Sequence, residues 1–149
     1  MTTLMTSATP IDDRAELKPD AIIESIMGYR KAKILLTAAS LNCFTRLKSP
    51  RGAGELARLL GTDARATEIL LDALAALGYV SKRGGLYANT PLSARYLVAG
   101  EPDYLGDNLK YQDMIWDAWS GLGLAMKRGG AVRPLGRWLG RADFTRDYI

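Results

Sequence analysis

Apolar residues in residues 20–41 (DAIIESIMGYRKAKILLTAASL) recur every three or four positions, which predicts a helix. They fall on two stripes: one carries Ile22, Ile26, Tyr29 and Leu36, and the other carries Ile23, Met27, Ile34, Ala38 and Leu41. A helix that buries only one face shows a single stripe. Two interpretations stay open: the helix is surrounded by its own domain, or it is shared between its own core and a partner chain.

Two further helices follow in quick succession. Residues 54–60 (GELARLL) are predicted to form the first, and Gly61 suits the left-handed position that ends a helix. Either Thr62 or Asp63 then caps the second, over residues 63–77. Its apolar residues keep a helical spacing and are expected to face the core: Ala66, Ile69, Leu70, Ala73, Leu74 and Leu77. Two helices joined by so tight a turn are typical of a helix-turn-helix.

Two short strands come next along the chain. Residues 79–82 and 86–89 are predicted to pair as a hairpin around the sequence RGG, in which glycine supplies positive φ angles. In Thr90-Pro91 a capping hydroxyl precedes a proline at the first helical position, which predicts a further helix, PLSARYLVA. The predicted fold class is therefore mainly α: a winged helix-turn-helix with a small β-hairpin wing and long flanking helices.

A long helix is predicted over residues 104–128, where a second RGG sequence ends it. Its apolar positions keep a three- or four-residue spacing apart from Gln112: Leu105, Leu109, Ile115 or Trp116, Trp119, Leu122 and Met126. The predicted organisation has four segments: a flexible arm (1–18), the winged-helix domain (19–100), the long helix (101–130), and a connector with the start of a further domain (131–149). The final residues, ADFTRDYI, resemble the first turns of a helix without a terminator, so we expect the chain to be cut there.

The composition predicts a soluble protein, with 48% hydrophobic and 24% charged residues and a net charge of +4. Cys43 is the only cysteine and histidine is absent, which excludes an intrachain disulfide and a Cys/His zinc site. The start of the chain lacks the apolar segment of a signal peptide, and no apolar run approaches the roughly 20 residues that span a bilayer. We therefore expect a cytoplasmic protein with neither a metal site nor a membrane partner.

The charges of the predicted recognition helix disfavour DNA binding. Its outward side carries Arg65 against Glu68 and Asp72, with Asp63 at its start, and phosphate would repel this net negative surface. Basic residues elsewhere favour DNA more: Lys82 and Arg83 at the predicted wing tip, and Lys127, Arg128, Arg133, Arg137 and Arg141 towards the end. That last group is either a solvated linker or a nucleic-acid arm.

The motifs "ELARLLGTD", "LLDALAALGYV" and "YANTPLSARYLV", followed by a tryptophan-bearing helix, give the chain a family resemblance. The chain resembles the N-terminal dimerisation domain of S-adenosylmethionine (SAM)-dependent O-methyltransferases of the acetylserotonin and plant small-molecule type. The resemblance covers roughly residues 20–149. It implies a homodimer in which the winged helix is a dimerisation platform that binds no nucleic acid. The implied dimer-interface residues are Ile22, Ile23, Ile26, Met27, Tyr29 and Leu36.

The resemblance also implies that the tryptophan-bearing helix helps to wall a pocket for an aromatic or other hydroxylated small-molecule acceptor. The matching positions are Tyr111, Met114, Trp119 and Met126, for which packing within the protein is the alternative role. Full-length enzymes of this kind use SAM. The glycine clusters "SGLGLAMKRGG" and "PRGAG" do not fit the strand–loop–helix context of a dinucleotide-type site, and the chain has no histidine to act as general base.

We therefore expect this segment alone to bind no cofactor, to contain no catalytic residue and to be inactive, because a catalytic domain would follow it. The predicted function is that of the dimerisation and substrate-lid domain of a SAM-dependent small-molecule O-methyltransferase. One alternative is a winged-helix DNA-binding transcriptional regulator. Another is a free-standing interaction domain that pairs with a separate methyltransferase subunit.

Overall fold

Eight helices and three short strands make up residues 19–132, the part of the chain that this computed structural model describes. The arm predicted at 1–18 and the connector beyond residue 132 lie outside it. The helices are α1 (Asp20–Ser40), α2 (Cys43–Arg46), α3 (Ala53–Leu60), α4 (Ala64–Ala76), α5 (Pro91–Tyr96), α6 (Gly106–Met114), α7 (Trp116–Ser120) and α8 (Leu122–Arg128). The strands are β1 (Arg51–Gly52), β2 (Val80–Arg83) and β3 (Leu86–Asn89). The mainly α winged-helix fold is confirmed.

The turn between α3 and α4 forms as the sequence predicts. Gly61 ends α3 with a φ of +67°, a left-handed conformation that costs glycine no steric energy. Asp63 caps α4, because its side chain accepts a hydrogen bond from the backbone N of Ala66 at 2.8 Å. The hydroxyl of Thr62 is instead 2.7 Å from that of Thr67. The structure thus chooses Asp63 from the two capping residues that the sequence allowed.

The wing is a hairpin of β2 and β3, within a residue of the predicted boundaries. Gly84 and Gly85 make the turn with φ angles of +55° and +78°. The sheet has a third strand, β1, which pairs antiparallel with β3 to give the order β1-β3-β2. The sequence did not predict β1, because two residues are too few to show an alternating pattern.

The buried face of α4 differs from the predicted one. Ile69 is 61% exposed and Ala66 is also exposed, whereas Thr67 and Leu71 point into the core. Apolar residues surround much of α4, so their spacing alone does not select a face. The core selects the Leu71 side, and its buried residues are Ala38, Cys43, Phe44, Leu47, Leu56, Leu71, Leu74, Val80, Tyr87, Leu97 and Val98.

The helix after the wing is shorter than predicted and begins differently. Helix α5 starts with Pro91 in its first turn, as expected, but it ends at Tyr96. The hydroxyl of Thr90 does not cap α5; it lies 3.1 Å from the carbonyl oxygens of both Gly78 and Tyr79. Thr90 therefore ties the start of α5 to the segment that precedes the wing.

The single long helix predicted for residues 104–128 is wrong, because the structure divides this region into α6, α7 and α8. The breaks fall at Ile115 and Gly121. Beside them, the amides of Ala118 and Gly121 bond to carbonyls only three residues back, at 2.9 and 3.1 Å, which tightens the helical turn. Serine and glycine at positions 120, 121 and 123 have weak helix propensity, so apolar spacing alone overestimated the helix length.

Candidate dimer interface

The first half of α1 presents a row of large apolar side chains to solvent. Exposure ranges from 39% for Met27 to 66% for Ile22, and we call the row the α1 apolar face: Ile22, Ile23, Ile26, Met27 and Tyr29. Leu36, the sixth residue of the expected interface, is only 8% exposed and belongs to the second half of the helix, which packs into the core. The two stripes thus have different environments along the helix: solvent at the start and the chain's own core at the end.

An open groove of about 810 Å³ adjoins this face. Its walls come from α1 on one side and from α6 and α7 on the other. The lining residues are Tyr29, Ala32, Lys33, Leu36, Gln112, Trp116, Trp119 and Ser120, and we call this feature the α1 groove. Tyr29 belongs to both the apolar face and the groove, so the two form one continuous surface.

Polar contacts hold the two walls of the α1 groove together. Lys33 of α1 forms an ion pair with Asp113 of α6, with 2.5 Å between Nζ and Oδ1. The hydroxyl of Ser40 donates a hydrogen bond to the other oxygen, Oδ2, of Asp113 at 2.8 Å. The ammonium group of Lys33 also lies 5.2 Å from the ring centroid of Trp116 on α7, within cation–π range. Asp113 and Lys33 therefore position both α6 and α7 against α1.

The predicted acceptor-pocket residues do not gather in this groove. Only Trp119 lines it, with its side chain 66% exposed. Tyr111 and Met114 are partly buried on α6, and Met126 is 77% exposed on α8. Sequence reasoning missed Lys33, Asp113 and Ser40, because the two sides of this contact lie more than 70 residues apart in the chain and polar residues carry no apolar periodicity.

The wing is tied to the acidic side of α4. Lys82 Nζ lies 2.7 Å from Asp72 Oδ1 and 3.9 Å from Glu68 Oε1. Tyr87, which is buried, donates a hydrogen bond to Asp72 at 2.6 Å. The hydrogen bond from Lys82, followed by that from Tyr87, holds the pKa of Asp72 below its usual value. Lys82, expected at the wing tip as a possible phosphate contact, is thus already paired with carboxylates.

Within residues 19–132 the strands do not form a dinucleotide-type site. In dinucleotide-type sites the phosphates lie at the carboxyl ends of parallel strands, whereas the three strands described here are antiparallel. The PRGAG stretch forms β1 and leads directly into α3, and β1 pairs antiparallel with β3. It lacks the parallel partner strand that a βαβ unit requires.

Within residues 19–132, no helix is long and apolar enough to cross a membrane.

These features define a class: a winged-helix protein whose prominent exposed surface is apolar and whose recognition helix is acidic, as suits association with protein. The profile of the O-methyltransferase dimerisation domain matches residues 23–99, more than half of the chain. The chain belongs to this family. The SAM-dependent methyl transferase PigF of Serratia sp. is 37% identical over 112 residues, which cover 74% of this chain and 32% of PigF.

Solved structures agree with this assignment. An O-methyltransferase family protein from Burkholderia thailandensis superposes with a TM-score of 0.74 at 29% identity, over 88% of this chain and 40% of that one. Human N-acetylserotonin methyltransferase, solved in complex with SAM, gives a TM-score of 0.68 at 26% identity, over 80% of this chain and 37% of the human chain. The chain spans about a third of the length of the curated relatives it matches.

Proposed function

We propose that this chain is the dimerisation and substrate-lid portion of a SAM-dependent small-molecule O-methyltransferase and that it forms a homodimer through α1. One observation carries the proposal: the α1 apolar face is exposed beside an apolar groove in a chain of this family. Contiguous exposed apolar patches of this kind mark interaction surfaces, because leaving them in water forgoes the hydrophobic gain of burial.

The energetic gain from covering this face is large. Fully burying an Ile or Met side chain contributes roughly 1.5–3 kcal/mol. Ile22, Ile23 and Ile26 are each more than half exposed in the single chain, so most of that gain is still available to a partner. The loss of translational and rotational freedom on association offsets part of it.

The second copy of α1 is the occupant that we assign to the α1 groove. In a twofold dimer the same surface is used by both subunits, so an apolar helix and an adjoining apolar groove on one chain satisfy their counterparts on the other. Tyr29 lies where the face and the groove meet, which makes the two parts a single interface. Leu36 contributes to the groove wall from within its own core.

The methyl-transfer chemistry is assigned to the remainder of the enzyme. SAM would be held there, and no residue of this segment has a catalytic role in the proposal. Trp119, Met126, Tyr111 and Met114 would form the part of the acceptor pocket that this segment supplies, for a hydroxylated and preferably aromatic molecule. The exposure of Met126, which lies outside the α1 groove, supports this, since a side chain that walls a pocket shared with another part of the enzyme is exposed in this segment alone.

The dimer is tested by size-exclusion chromatography with light scattering over a wide range of concentrations. We expect the wild-type chain to have twice the monomer mass, and Ile26→Asp to be a folded monomer, because a carboxylate cannot be buried unpaired in the interface. The matched control is Ile69→Asp on α4, which replaces an equally exposed isoleucine, 61% against 56%. It should remain dimeric. A monomeric wild-type chain at all concentrations contradicts the proposal.

The transcription-regulator alternative is tested by a mobility shift with random duplex at low salt. We expect no shift at micromolar protein, because Glu68 and Asp72 lie on the exposed side of α4 and Lys82 is paired with them. A shift that weakens steeply as salt is added would support DNA binding and contradict the assignment of this fold to association alone.

A further inference from the structure

Lys33 is a charged residue within an otherwise largely apolar groove. Its side chain is 44% exposed and that of its partner, Asp113, is 22% exposed, so water still reaches the ion pair in the single chain. Tyr29, Ala32 and Leu36 adjoin Lys33 on α1, and Trp116 lies under its ammonium group. Any helix that fills the groove must therefore cover this charge.

We propose that the dimer depends on an intact Lys33–Asp113 ion pair, because the main energetic effect of losing one of its charges arises only when the second copy seals the α1 groove. This inference rests on the proposed function, which supplies the occupant. While water reaches this part-buried pair, each charge keeps some solvation, so the loss of one partner costs less than it does in a sealed groove. Once the groove is covered, a lone charge is costly, because neither water nor a counter-ion compensates it.

Asp113 is well placed for this role. Its two oxygens are held separately, one by Lys33 and the other by Ser40, which lie two turns apart on α1. The carboxylate therefore cannot slide along α1 without losing a contact. The charge that neutralises Lys33 is thus in position before the second chain arrives, so association does not have to reorganise the pair.

The inference predicts that one substitution weakens association while leaving the folding stability of the monomer almost unchanged. Asp113→Asn leaves Lys33 without a counter-charge. We expect the dimer dissociation constant to rise at least about tenfold, which corresponds to 1.4 kcal/mol. The urea midpoint of the monomer, measured in the Ile26→Asp background, should change little. The double variant Lys33→Met/Asp113→Leu removes both charges and should restore the dissociation constant to near the wild-type value.

Asp107→Asn is the matched control, since Asp107 is another α6 aspartate that pairs with a lysine at 3.3 Å, but that lysine, Lys110, does not line the groove as Lys33 does. Its dissociation constant should equal that of the wild type. If Asp113→Asn dimerises as tightly as the wild type while Ile26→Asp is monomeric, this inference is wrong and the proposed function stands. A double variant as weak as Asp113→Asn also overturns it. A wild-type monomer contradicts both.

Discussion

The hydroxyl of Tyr87 on β3 donates a 2.6 Å hydrogen bond to the carboxylate of Asp72 on α4. Tyr87 is almost fully buried, whereas Asp72 reaches solvent at the edge of its helix, so the bond joins the core of the wing to the surface of α4. Lys82 on β2 completes the contact from the solvent side and also lies 4.9 Å from the ring centroid of Tyr87. The wing and α4 are thereby held as one unit.

Removal of the tyrosine hydroxyl should destabilise the protein. Tyr87→Phe keeps the buried ring but loses the hydrogen bond, so we expect the free energy of unfolding to fall by about 1 kcal/mol. Urea denaturation at one fixed protein concentration measures it. Tyr79→Phe is the control, because within residues 19–132 Tyr79 takes part in a side-chain hydrogen bond only through its backbone oxygen, which accepts from Thr90. Equal losses in the two variants would show that the Asp72 contact contributes nothing specific.

The stability supplied by Asp72 should depend on pH. Its pKa is lowered from 3.8 in the folded protein, first by the hydrogen bond from Lys82 and then by that from Tyr87. A lowered pKa stabilises the fold above the unfolded-state value, and this contribution disappears as the pH falls through the folded-state pKa. Asp72→Asn should therefore be less stable than the wild type at neutral pH, and the difference should shrink below pH 3.8. A deficit that is constant with pH in urea denaturation would rule out this linkage.

Two glycines at opposite ends of α3 should respond in opposite directions to alanine. Gly61 has a φ of +67°, so Gly61→Ala should cost about 1–2 kcal/mol of stability through steric strain. Gly54 lies inside α3, where an added Cβ meets no atom within 4 Å, and Gly54→Ala should stabilise by about 0.5–1 kcal/mol. Urea midpoints for both variants test this pair, and a shift of the same sign in both would refute the assigned conformations.

Cys43 should be unreactive in the native protein. It is fully buried in the core, and burial raises the pKa of its thiol to about 11. Because the thiolate is the reactive species, we expect almost no reaction with a thiol reagent such as DTNB at mildly alkaline pH. In concentrated urea one thiol per chain should react at the rate of a free cysteine. Similar rates in the folded and unfolded chains would contradict the burial.

Local signals in the sequence determined most of the secondary structure. Gly61, the glycines of the hairpin turn and Pro91 act through the φ angles that each residue permits, and these preferences need no distant partner. The motifs were sufficient to indicate the family, and the two apolar stripes of α1 correctly indicated a helix with more than one apolar side.

Tertiary structure decided which apolar residues are covered and where charges meet. Periodicity placed Ile69 towards the core, but the packing of α4 against the other helices selected the Leu71 side instead. The contact between Lys33 and Asp113 joins residues 80 positions apart, and no local pattern marks either as a partner of the other. Local conformational preference can be read along a chain, whereas burial and ion pairing depend on which distant segments the folded core brings together.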